Sequence, residues 1–164
     1  MTRPYSEGNM GDTKVDGVAE ALLGLDTVAY TSGDLMCQAV ELEHVCVPNY
    51  PSFIESITLL DYDDNGAALD LLFFRAHPGN LGTVNAAVLL SAAAAEMILC
   101  WVTIGTGDYI DLGTCRIAQP EFDPRKVRPL DGQTSVWVAA VSRTSQTAYA
   151  SGRMLLKVGV VKIE

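Results

Sequence analysis

Residues 53–74 read FIESITLLDYDDNGAALDLLFF, and this stretch decides the fold class. Its first eight residues alternate apolar and polar side chains, with Phe53, Ile57 and Leu59 on one side of an extended chain. This two-residue period is typical of a half-buried β-strand. The last eight residues return as a second apolar run, and the Asn65-Gly66 pair between the runs suits the positive φ angles of a tight turn. The sequence therefore predicts a β-hairpin at this point.

Strand-like runs separated by turn residues continue on both sides of this hairpin. One alanine-rich stretch, Asn85–Met97, instead favours a helix, and Thr83 or Asn85 is suited to cap its start. We therefore expect a mainly β protein, an antiparallel β-sandwich with one short helix. The further predicted strands are Thr27–Tyr30, Leu35–Val47, Ile98–Ile104, Tyr109–Ile117, Thr134–Val141 and Leu155–Ile163.

The first 24 residues differ from the rest of the chain. They contain four glycines and an early proline and show little hydrophobic periodicity. We expect residues 1–24 to form an extended N-terminal arm and residues 25–164 to form the sandwich domain, since 164 residues suit one domain. The residues expected in its core are Leu71, Phe73, Val138 and Val158.

The charge of the chain is negative and unevenly distributed. The net charge of −9 argues against nucleic acid as a partner, because neutralising phosphates needs many lysines and arginines. No Lys or Arg lies between Lys14 and Arg75, where there are eleven acids, whereas the chain from Arg116 onward has eight bases and four acids. Two interpretations remain open: acidic early strands that lie beside basic late strands within one sheet and form cross-strand pairs, or an acidic and a basic face that meet across subunits.

The cysteines and histidines do not form a recognisable motif. Cys37, Cys46, Cys100 and Cys115 lack the short paired spacing of zinc ligands, and the first three have apolar neighbours that favour buried, unoxidised thiols. The start of the chain lacks a secretory signal pattern, which favours an intracellular origin. We expect His44 on a strand surface and His77 in a loop. Neither lies near a nucleophile motif.

Two further patterns suggest a ligand but favour a structural role. The DYDDNG segment matches the opening of a calcium loop, but its twelfth position is the apolar Leu72, so we expect an acidic hairpin turn. Trp101 and Trp137 fall within predicted strands, which favours core packing over a sugar-binding platform.

The apolar stretch Val84–Ile104 contains Glu96 and lacks flanking cations, so we expect no membrane span. The sequence predicts no catalytic, cofactor-binding or metal-binding residue, and hence no enzyme.

Several segments, in their order along the chain, resemble a group of tailed-phage virion proteins. The resemblance covers most of residues 26–163 and leaves the first 25 unmatched. The segments are Ser56–Asp61, Ala67–Phe74, the stretch from Asn85, Asp108-Tyr109 with Leu112-Gly113, and Tyr149–Ser151 before Leu155–Ile163.

This resemblance implies a bacteriophage capsid decoration, or cement, protein with a jelly-roll-like body. Such a protein would bind the outer surface of the shell, stabilise the major capsid protein, and reside on the virion after synthesis in the host cytoplasm. It implies a homotrimer, or a dimer, at a symmetry axis, with the N-terminal arm clamping neighbouring subunits. It implies no cofactor and no membrane partner. Two alternatives stay open: a tail or head–tail accessory protein, and a carbohydrate- or ligand-binding β-sandwich.

Overall fold

The computed structural model describes residues 14–146 and 148–163, and these residues form two antiparallel sheets packed against each other. One short helix, α1 (Ala92–Glu96), and a 3-10 turn (Thr106–Asp108) accompany the sheets. The strands are β1 (Lys14–Gly24), β2 (Leu35–Leu42), β3 (Ser52–Asp61), β4 (Leu69–Phe74), β5 (Ile98–Ile104), β6 (Tyr109–Asp111), β7 (Arg116–Ala118), β8 (Arg125–Val127), β9 (Val136–Ser142) and β10 (Arg153–Ile163).

The strand pairing is nested. Sheet 1 has the order β1-β10-β3-β7-β6, with β8 also paired to β3, and sheet 2 has the order β2-β9-β4-β5. The first strand therefore pairs with the last, β2 pairs with β9, β3 with β7 and β4 with β5. A chain that folds back on itself in this order and then wraps into two sheets is a jelly roll. The predicted antiparallel β-sandwich with one short helix is confirmed.

The main core lies between the two sheets. The four residues predicted for it, Leu71, Phe73, Val138 and Val158, are all fully buried. The other face of sheet 2 is covered as well, which is why β4 (LDLLFF) reads as a nearly continuous apolar run. The cluster on that second face comprises Leu35, Ala39, Phe74, Leu81, Ala94 and Ala139.

The predicted β-hairpin at residues 53–74 is wrong, although both of its strands exist. The strand β3 belongs to sheet 1 and β4 belongs to sheet 2, so the segment between them crosses from one sheet to the other. The positive φ angles of this segment lie at Asp64 (58°) and Gly66 (60°), not at the Asn65-Gly66 pair. On β3, the pairing with β10 shifts register beside Glu55, and Ile54 rather than Phe53 is fully buried in the core.

The predicted helix at Asn85–Met97 is also wrong for most of its length. Only Ala92–Glu96 is helical, and its N-cap is Ser91, whose hydroxyl accepts a hydrogen bond from the Ala94 amide. Asn85 has a φ of 62° and donates its amide to the carbonyl of Leu35. Because this stretch bonds to the chain at the start of β2, tertiary pairing overrides the helix propensity of its alanines.

Of the six further predicted strands, one agrees at both ends, two (β9 and β10) differ by one or two residues at an end, and three differ more. Ile98–Ile104 is β5, as expected. Residues 27–30 lie in a loop, and the strand predicted for residues 35–47 ends at Leu42. The strand predicted for residues 109–117 is divided into β6 and β7 by a turn, in which Gly113 has a φ of 93°.

Part of the predicted N-terminal arm belongs to the sandwich. Residues 14–24 form β1, which pairs with β10 along its whole length, and Leu23 is fully buried. The apolar residues at alternate positions of β1 face the core and are buried there, which holds the strand against the sandwich. These residues are Ala19, Ala21 and Leu23. Residues 1–13 of the arm lie outside the described residues. Within the described chain, no helix is long and apolar enough to cross a membrane.

Candidate functional site

The acidic segment between β3 and β4 is organised around Asp61. This carboxylate is fully buried at the end of β3 and accepts three backbone hydrogen bonds. The donors are the amides of Asp63 (2.9 Å), Asn65 (3.0 Å) and Gly66 (2.8 Å). The chain therefore wraps around the carboxylate of Asp61. This side chain begins the calcium-like motif, and both of its oxygens already accept hydrogen bonds from the backbone.

The neighbouring carboxylates of this segment are engaged as well. Asp63 accepts from the hydroxyl of Ser151 at 2.6 Å, and Asp64 accepts from Nε of Arg116 at 2.8 Å. Residues 61–66 are thus an acidic turn, as predicted, but one that fixes the crossover between sheets rather than closing a hairpin. Among the residues that the structure describes, no group of three or more His, Cys, Asp or Glu side chains could hold a metal ion.

The two histidines lie apart. His44 is exposed in the turn that follows β2, with a φ of 59°, so the prediction of a surface residue holds but the strand assignment does not. His77 lies in a loop, as predicted. Its Nδ1 accepts from the amide of Gly79 at 3.0 Å, and its ring packs edge-on against Trp137. In the described chain, neither imidazole hydrogen-bonds to a serine or a cysteine.

The four cysteines are free thiols. Cys37 and Cys46 are buried, while Cys100 and Cys115 are half-buried. Burial raises the pKa of Cys37 to about 11, and it raises that of Cys100 to about 11 despite the opposing effect of Arg125. Thiols with such pKa values stay protonated at neutral pH and are poor nucleophiles.

The prediction that both tryptophans are core residues is wrong for Trp101, which is 60% exposed. On β5 the buried residues are Val102 and Ile104, so alternation turns Trp101 and Thr103 to the outside. Trp137 is half-buried on the outer face of sheet 2. The alternation of β5 is visible in the sequence and is the signal that would have identified Trp101 as exposed.

Three ion pairs within the fold account for part of the uneven charge. Glu20 on β1 contacts Lys157 on β10 at 3.0 Å, and Asp70 on β4 contacts Arg143 at 2.8 Å. Together with the contact between Asp64 and Arg116, these pairs join early acids to late bases within one fold. The first of the two charge interpretations is therefore confirmed for Glu20 with Lys157 and for Asp70 with Arg143, whereas Asp64 lies in the crossover segment and not on a strand.

Two further acids, Glu41 and Glu43, lie with Glu20 at one open side of the sandwich, which we call the acidic mouth. It lies between β1 and β2, each the outermost strand of its sheet, and encloses a groove of about 620 Å³. Its polar side chains are acidic apart from one histidine, and Val18 (68% exposed) and Leu22 (54% exposed) border them. The lining residues are Val18–Leu22, Val40, Glu41, Glu43 and His44.

The opposite side of the sandwich carries a basic mouth. It lies between β5, the last strand of sheet 2, and β8, and encloses about 410 Å³. Arg125 and Lys126 are exposed and, within the described residues, have no ion-pair partner. The remaining lining residues are Leu99, Cys100, Trp101 and Pro124. Neither mouth was identified from the sequence, because strands far apart in the chain form each one.

The fold and these surfaces define the class of protein as a jelly-roll β-sandwich with two oppositely charged open sides. No protein-family model matches the chain, and no curated protein matches it either.

Proposed function

We propose that this chain is a structural virion protein that binds the outer surface of a phage capsid and stabilises the shell of major capsid protein. The observation that carries the proposal is the nested strand pairing, since jelly rolls of this kind recur in viral capsid proteins. A fold hosts many functions, so the proposal also draws on the virion-like segments of the sequence. Two of these segments lie on β3 and β10, which are neighbouring interior strands of sheet 1.

The polar groups of the chain support a binding role. The carboxylates of residues 61–66 satisfy loop amides, a serine and an arginine, and the thiols of Cys37 and Cys100 are kept protonated. What the molecule offers to a partner is extended surface at the sandwich edges. On a capsid, many copies bound side by side would stabilise the shell through multivalency even if each contact were weak.

The proposal is tested by quantitative mass spectrometry of purified virions, counting copies of this chain per copy of major capsid protein. A ratio near one to one, or one trimer per three-fold position, is expected for a decoration protein. A ratio of a few per hundred would instead indicate a tail or head–tail accessory protein. Absence of the chain from virions would overturn the proposal.

A second experiment measures binding of the purified chain to undecorated heads. The contribution of the N-terminal segment is tested with a chain that begins at Lys14, since removing residues up to Gly24 would delete β1 and expose the core around Leu23. If the segment clamps neighbouring subunits, the shortened chain folds normally and binds heads more weakly. Equal binding by the two chains would refute the clamp.

One observation favours the carbohydrate-binding alternative. Trp101 is 60% exposed at the basic mouth beside Arg125 and Lys126, and an exposed indole is a stacking surface for a sugar ring. On this alternative the ligand would be an acidic glycan, bound by stacking and by the two cations. A glycan array probed with the wild type and with Trp101→Ala tests it, because the alternative requires a signal that the variant loses.

A further inference from the structure

The acidic mouth and the basic mouth lie on opposite sides of one molecule. β1 and β2, which form the first, begin the two sheet orders, and they face each other across the sandwich. β5 ends the order of sheet 2, and β8 lies on the side of β3 that faces away from β1 and β10. Each mouth is thus bordered by strands at sheet edges, although on β2 the outward groups of Leu35 are already bonded to residues 85 and 86.

The two mouths have complementary charge. Three glutamates and no lysine or arginine line the acidic mouth, while an arginine, a lysine and no acid line the basic one. Glu20 is neutralised in part by Lys157, which leaves Glu41 and Glu43 as the main negative charges facing the groove. In a chain with a net charge of −9, two adjacent cations without an ion-pair partner among the described residues are an unusual local feature.

Both mouths also expose apolar surface next to their charges. Val18 and Leu22 border the acidic mouth, and Trp101 borders the basic mouth, each with more than half of its surface exposed. Large apolar residues of this kind, beside polar groups, are typical of protein interfaces, and tryptophan is enriched among the residues that dominate their energetics.

We propose that the acidic mouth of one copy of this chain binds the basic mouth of a second copy, head to tail. Like-to-like contact would place glutamates against glutamates or cations against cations, which disfavours a two-fold arrangement through either mouth. A head-to-tail contact leaves one free mouth of each kind, so it repeats and closes into a ring when the rotation between copies allows. This inference goes beyond the proposed function, because it names the contact by which copies of the chain join one another.

The experiment is sedimentation velocity of the purified full chain at low and at high salt, with three double variants. E41K/E43K makes the acidic mouth basic, and R125E/K126E makes the basic mouth acidic. E55K/E96K is the matched control, because it makes the same charge change at exposed glutamates on neither mouth. The wild type and the control should self-associate, and each mouth variant should associate at least about tenfold more weakly.

Mixing the two mouth variants gives the decisive result. In the mixture, the lysines of E41K/E43K can pair with the glutamates of R125E/K126E. An equimolar mixture of the two variants should therefore form mixed oligomers that neither variant forms alone. Far-ultraviolet circular dichroism shows whether each variant is folded. E41Q/E43Q replaces the first variant if the lysines prevent folding, and Trp101→Ala should weaken association without changing the net charge.

Three results would overturn the inference: a monomeric wild type at low salt, oligomers that both charge reversals leave intact, or a mixture that stays monomeric. The experiment uses no capsid. Failure to bind heads with intact self-association would therefore contradict the proposed function alone, and head binding by a strictly monomeric chain would contradict this inference alone.

Discussion

Replacing Asp61 with alanine should destabilise the fold more than almost any other single change to a charged residue. The carboxylate is fully buried and accepts hydrogen bonds from three amides of the crossover between the sheets. A hydrogen bond to a charged group contributes about 1.5–3 kcal/mol, and an unpaired buried amide incurs a desolvation penalty. Because the loop relaxes and water reaches the partly buried amides, we expect Asp61→Ala to lower the free energy of unfolding by about 3–5 kcal/mol.

Replacing Asp61 with asparagine keeps the buried volume nearly constant, so its effect reports on the hydrogen bonds alone. One carboxylate oxygen of Asp61 serves both Asn65 and Gly66, and the other serves Asp63. An amide oxygen in the first position keeps two bonds, while the NH₂ group faces the Asp63 amide. Asp61→Asn should therefore lower the free energy of unfolding by about 1.5–3 kcal/mol, between the wild type and Asp61→Ala.

Equilibrium urea unfolding at neutral pH measures these differences, with Asp123→Ala as the control. Asp123 is exposed in a loop, and its replacement should change stability by less than about 0.5 kcal/mol. If Asp61→Ala unfolds within about 1 kcal/mol of the wild type, the amides do not depend on this carboxylate, and the account of the crossover is refuted.

Three further predictions concern the core, a turn and pH. Phe73→Ala, at a fully buried position, should lower the free energy of unfolding in urea by about 3–5 kcal/mol, and a change below about 1 kcal/mol would remove Phe73 from the core. Gly66→Ala should lower the thermal unfolding midpoint, because the new Cβ would lie 2.7 Å from a guanidinium nitrogen of Arg116 at a φ of +60°; an unchanged midpoint would contradict this crowding. Burial raises the pKa of Tyr30 from 10.0 to about 12, so stability should be fully present below pH 10 and be lost as the pH rises towards 12, as followed by urea unfolding across that range; a constant stability there would be inconsistent with the buried phenol.

The sequence predicted the architecture because the β-strand period is a local property. The run at residues 98–104 and the core positions of Phe73 and Val138 follow from alternation and apolarity alone, and the structure confirms them. The same information does not show which sheet a strand joins. The segment at residues 61–66 has the composition of a hairpin turn, yet it crosses between sheets, because the pairing of β3 with β10 and of β4 with β9 is decided by residues far along the chain.

The errors in the helix and in Trp101 have related causes. Alanine favours a helix by a few tenths of a kcal/mol per residue, which the backbone bonds between residues 85–86 and Leu35 outweigh. An apolar side chain in a strand is buried only if a neighbouring element covers its face, and β5 is an edge strand whose outward face is open at Trp101. The mouths could not be predicted, because each is formed by strands that are far apart in the sequence. The imbalance of charge between the two halves of the chain was the only related signal in the sequence.

The position of β10 affects how the protein is made. It is synthesised after β1 and β3, yet it lies between them in sheet 1. During synthesis, these two strands have no neighbour on their facing sides until this eleven-residue strand arrives. Such long-range closure is slow compared with local pairing, and unpaired strand edges are prone to join other chains. Nascent copies crowded on one messenger would therefore be most vulnerable to aggregation in the interval before β10 emerges.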